Sequence, residues 1–104
     1  MELEGPRSGL PRDTAVRDLS PADRQTLCQW WGQTVGEGRM QSCSECTGDA
    51  CTDWDVKVST DQECVAWMAT LSCAATVDDA ESCAFAQQPD LCASPAACDP
   101  FTGC

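Results

Sequence analysis

Three stretches of the chain carry apolar residues at helical spacing, and each has its own start signal. The first begins at Ser20-Pro21, where Ser serves as an N-cap and Pro fits the first helical position. Leu27, Trp30, Trp31 and Thr34 then recur along one stripe with Cys28 beside it, and Gly36 and Gly38 end the helix. The second opens on Thr60-Asp61-Gln62-Glu63, a capping box in which Thr and Glu each satisfy a free backbone N–H of the other's end. Cys64, Trp67, Met68 and Leu71 follow at i, i+3, i+4 and i+7, which predicts one buried face. The third begins at Thr76, with Asp78, Asp79 and Glu81 near the helix start, where the dipole favours them. Val77, Ala80, Cys83 and Ala84 form its apolar side, and Pro89 stops it.

Between the first two helices the period changes. Thr52 to Val58 alternates, with Trp54, Val56 and Val58 on one side, and Thr47-Gly48-Asp49 ahead of it is a turn signal. This predicts a short hairpin or an irregular insertion. A helical turn is expected near residues 94–98, in a tail otherwise broken by Pro95, Pro100 and Gly103. Residues 1–19, interrupted by Gly5, Pro6, Gly9 and Pro11, are expected to be a flexible linker, disordered or ordered only by contact with the domain. The expected fold is therefore a mainly α, small, disulfide-rich domain over residues 20–104. It consists of three short helices with a stapled insertion. No fixed-period repeat is present.

Cysteine changes this picture most. There are ten in 104 residues: Cys28, Cys43, Cys46, Cys51, Cys64, Cys73, Cys83, Cys92, Cys98 and Cys104. An even number at this density predicts a disulfide scaffold made in an oxidising compartment. The expected location is secreted, periplasmic or on the cell surface. The opening residues lack the apolar run of a secretory signal, and the simplest expectation is that such a signal was trimmed ahead of Met1. Ten cysteines allow about 945 pairings. A Cys28–Cys83 bridge between the first and third helices is the one pairing expected here.

Net charge is −11, and residues from 25 onward hold only Arg39 and Lys57 as bases against twelve acids. Such a surface repels phosphate backbones and anionic lipid heads, so neither nucleic acid nor a membrane surface is an expected partner. No apolar run is long enough to insert into a bilayer. A protein partner at the cell exterior is expected.

The ordering "LCQWW", a Gly-rich break, a stapled hairpin, "QECVA", "SCAATVDDAESCAFA" and "DLCASPAACDP" resembles a group of small cysteine-rich exported proteins and lipoproteins predicted in myxobacteria and their relatives. The resemblance spans about Ser20 to Cys104. It implies export and disulfides, and no catalytic residue. The three cysteines Cys43, Cys46 and Cys51 are denser than in that pattern, and the lipid-attachment cysteine of a lipoprotein is missing.

Candidate chemistry is sparse. The chain has neither His nor Tyr, so a Ser/His/Asp triad and a Cys/His pair have no base. Cys43-Ser44-Glu45-Cys46 has the C-x-x-C form of a thiol oxidoreductase, but Glu45 would raise both thiol pKa values, and a structural bridge is the expected use. Cys43, Cys46, Cys51 and Cys64 together could hold zinc or an iron–sulfur cluster only outside an oxidising compartment. Asp49, Asp53 and Asp55 are a weak calcium candidate lacking the glycine and final Glu of an EF-hand loop. No cofactor is expected. Trp30 and Trp31 are adjacent on a helix, so one lies at the domain edge, and with Trp54 they form the candidate partner or ligand surface. The expected function is a non-enzymatic exported interaction or structural module. An extracellular ligand- or calcium-binding protein is the alternative.

Overall fold

A computed structural model of the chain describes residues 7–93 and 95–102. Helix α1 spans Pro21–Trp31, with the Ser20 hydroxyl accepting from the Asp23 N–H at 3.2 Å. A π-helical turn, Gly32–Gly36, continues it. Gly36, at φ 107°, breaks the helical path in a conformation that costs an L side chain strain. Strands β1, Met40–Thr47, and β2, Ala50–Lys57, form a two-stranded antiparallel hairpin. Helix α2 covers Asp61–Met68 and α3 covers Val77–Gln87, both opened by capping boxes at Thr60 and Thr76. A 3-10 helix, Ala96–Phe101, closes the described tail. The expected turn at residues 94–98 overlaps it, although Ser94 itself lies outside the described residues.

The description as mainly α is too narrow. The strands are eight residues each, as long as α2, so the fold is small and disulfide-rich with both helices and a sheet. The insertion is a regular hairpin because its turn is well specified. Thr47 pairs with Ala50, leaving Gly48-Asp49 as a two-residue turn with φ 62° at Gly48 and no positive φ at any non-glycine residue. That is the Gly-X form of a type II′ turn, whose twist matches that of the strands.

The core gathers Leu27, Cys28 and Trp30 from α1, Met68 from α2, and Val77, Ala80 and Ala84 from α3, closed by Val35, Val58 and Leu91. Trp30 meets Phe85 edge-on at 5.4 Å between ring centres. The stretch expected as a linker contributes too. Val16 is fully buried and Leu19 nearly so, and a short 3-10 turn, Val16–Asp18, sets them against the helices. Residues 7–19 strap α3. The Val77 and Asp78 N–H groups at the helix start donate to the carbonyls of Thr14 and Arg12, and the Val16 N–H donates to Ala75. The strap thereby satisfies two N–H groups that the first turn of a helix leaves free.

Four bridges lie among the described residues: Cys28–Cys64, Cys43–Cys92, Cys46–Cys51 and Cys83–Cys98. Cys73 is disulfide-bonded as well, and no described cysteine is free. Cys104 lies outside the described residues. The expected Cys28–Cys83 link is wrong. α1 packs along α2, which brings Cys28 to Cys64 in the first turn of α2. α3 packs on the tail's 3-10 helix, which brings Cys83 to Cys98.

Candidate functional site

Where the hairpin base, the end of α1 and the end of α2 meet, the core is left open. A cleft of about 330 Å³ lies there, lined chiefly by Trp31, Val56, Val58, Trp67, Met68 and Leu91. Each wall has a local cause. Trp31 is the last residue of α1 and points away from buried Trp30, as adjacent helical residues must. Val56 alternates onto the hairpin face turned toward the domain. Trp67 stands at the margin of the α2 stripe, 45% exposed, with Phe101 of the tail against it at 5.8 Å between ring centres. The expectation that Trp67 lies in the buried face of α2 is therefore corrected. Cys64, Met68 and Leu71 are buried, and Trp67 overhangs the cleft.

Among the lining residues Lys57 is the only one with a titratable side chain, since Cys64 is held in its bridge. The cleft therefore offers apolar area and one cation at its rim rather than a pair of groups to move a proton. Burying apolar groups is what this lining favours, at about 25 cal/mol per Å².

The sequence-predicted surface residues separate. Trp30 is 8% exposed and belongs to the core, so it does not form part of the surface. Trp31 lines the cleft. Trp54, 41% exposed, pairs with Cys43 across the sheet and shares a face with Val56, so it extends the apolar lining along the hairpin. Sequence reasoning missed Trp67 and Val56 as site residues. Their helical and strand stripes signalled burial, and only the gap between the elements leaves them accessible.

The remaining candidates are dispersed. Cys43 and Cys46 are three apart on one strand, so their side chains leave opposite faces and cannot bridge each other. They pair instead with Cys92 and Cys51. Asp49 sits in the turn, while Asp53 and Asp55 share the outer face of β2, where Asp55 accepts from the Ser42 hydroxyl at 2.9 Å. Among the described residues no three side chains of the metal-binding types gather. No described helix is long and apolar enough to cross a membrane.

One buried charge escaped the sequence. Glu81, expected to serve the dipole of α3, is fully buried. Its carboxylate accepts from the Arg7 guanidinium at 3.1 Å, from the Ser8 N–H at 2.8 Å and from the Ser8 hydroxyl at 2.7 Å. Arg7 also bonds Asp78 and lies 5.6 Å from the Phe85 ring centre. On the surface beside it, the Arg12 guanidinium bonds Asp78 and lowers that carboxyl's pKa.

No family model matches this chain, and no curated protein or solved structure matches it.

Proposed function

We propose that this chain is a non-enzymatic, exported interaction module that holds a protein partner through the apolar cleft and its tryptophan rim. The observation that carries the reading is an open, largely apolar cleft overhung by Trp67 and flanked by Trp31, on a chain whose net charge is −11. Large aromatic side chains at a partly open apolar site are the usual anchors of protein recognition. The bridges are consistent with an oxidising compartment, and residence outside the cytosol follows from them as part of the proposal. Kinship with the exported cysteine-rich proteins of myxobacteria is part of the same proposal.

A random peptide library displayed on phage and panned against the folded protein tests the reading. Enriched peptides are expected to bind the Trp67→Ala variant at least about tenfold more weakly. They are expected to bind Met40→Ala as they bind the parent, because Met40 is 62% exposed on the other face of the hairpin. Failure to enrich any peptide, or binders indifferent to Trp67→Ala, would overturn it.

A further inference from the structure

We propose that the outer edge of β2 captures an extended, cationic peptide strand, which adds to the hairpin as a third strand and places an apolar side chain in the cleft. This rests on the interaction reading above and names the chemistry of the partner.

The register carries the first part. With Thr47 and Ala50 closing the turn, the hydrogen-bonded pairs are 47:50, 45:52, 43:54 and 41:56. The non-hydrogen-bonded pairs lie between them. Cys46–Cys51, at 4.0 Å between Cα atoms, has the close approach of such a pair. The backbone N–H and C=O groups of Cys51, Asp53, Asp55 and Lys57 therefore point away from β1. Among the described residues the sheet has two strands, and every residue from Ala50 to Asp55 is exposed. This is an unpaired edge of the kind that recruits an extended peptide. The opposite edge is different: the tail reaches β1, with Cys92 Sγ 3.8 Å from the Ser42 carbonyl and Gln41 bonded to Asp90 and Leu91.

Charge and position select the occupant. Asp53 and Asp55 stand on the outer face of this edge, with Asp49 at the tip and Glu45 across the hairpin. Lys57 is the hairpin's only base. A second copy of β2 laid antiparallel on the first would set these aspartates against their own counterparts, which is unfavourable. A strand with Lys or Arg at every second position meets them with opposite charge. Its alternate residues then fall on the face of Trp54 and Val56, and Val56 and Lys57 of this strand, with Val58 directly after it, line the cleft. The recognised pattern is thus cationic and apolar residues in alternation.

An alternating Lys–Val octapeptide, added to the isotopically labelled protein with its bridges intact, tests the proposal by amide exchange. The expected result is protection of the Cys51, Asp53 and Asp55 amides, at least about tenfold weaker binding to the Asp53→Lys/Asp55→Lys variant, and no binding of a Glu–Val octapeptide. Asp53→Pro removes an outward N–H and leaves the ladder to β1 intact, so it is expected to abolish capture where Asp53→Asn weakens it slightly. Unprotected edge amides at saturating peptide, equal binding of the Glu–Val peptide, or unchanged affinity after charge reversal would each overturn it. So would edge protection that rises with protein concentration alone, which would make a second copy the occupant. Phage binders that need Trp67 while the octapeptide leaves the edge unprotected would sink strand capture and leave the cleft reading standing. Binders that ignore Trp67 would sink the cleft reading, whatever the edge does.

Discussion

Glu81 concentrates more consequence than any other single side chain in this protein. A carboxylate taken wholly out of water is costly unless paired and hydrogen-bonded, and all of its named donors come from Arg7 and Ser8. The charge on α3 is thus neutralised by a segment more than seventy residues away in sequence. Arg7→Ala leaves that carboxylate buried with Ser8 alone and is expected to cost about 1–3 kcal/mol. Arg12→Ala breaks only an exposed pair with Asp78 and is expected to cost less than about 1 kcal/mol. Urea unfolding midpoints with the bridges intact would compare them. Equal effects would mean that Glu81 does not depend on Arg7. Asp78 has its pKa lowered by Arg12, so the stability it adds is present above its unfolded pKa and fades as the pH falls through the lower folded value.

The hairpin shows what an element gains from being stapled twice. An isolated two-stranded hairpin is marginal in water. Cys46–Cys51 joins its strands beside the turn, and Cys43–Cys92 ties one strand to the segment after α3. The two bridges close loops of very different length, 5 against 49 residues of separation. Chain-entropy reasoning then assigns about 2 kcal/mol to the short one and about 4 kcal/mol to the long one. Replacing Cys46 and Cys51 together by Ser is accordingly expected to lower the melting temperature less than the same replacement of Cys43 and Cys92. The reverse order, measured by calorimetry, would show that Cys46–Cys51 holds the turn in some further way. The helices are more self-sufficient. At Thr60 the cap is complete within four residues, with the Thr60 N–H on Glu63 at 3.0 Å and the Glu63 N–H on Thr60 at 3.3 Å.

For the whole molecule, covalent closure stands in for core size. The buried set is mostly small or medium side chains, with Trp30 its one large aromatic. A chain of this length buries too little apolar surface to be robust, and its net charge of −11 adds self-repulsion. Full reduction is therefore expected to unfold the protein. Loss of the helical far-UV signal under reductant would record it, whereas an unchanged spectrum would show that packing alone suffices. The openness of the cleft belongs to this scale as well. α1, α2 and the hairpin are each well formed, and the gap exists because three rigid elements held by bridges do not close completely on one another.

Local signals in the sequence determined the local structure. The starts at Ser20, Thr60 and Thr76 depend on side chains reaching backbone groups three residues away, and the Gly48 turn depends on one dihedral, so each could be read without knowing the fold. The density and even number of the cysteines likewise specified a disulfide scaffold. Tertiary structure alone decided which cysteines meet, which of Trp30 and Trp31 is buried, why Trp67 is exposed on an otherwise buried stripe, and that Val16 and Leu19 from the stretch ahead of α1 pack into the core. It also decided that Glu81 would be buried with partners. In each of these cases the controlling distance runs between residues far apart along the chain. Period and composition carry no record of such distances, because they are set only when the helices and the hairpin pack together.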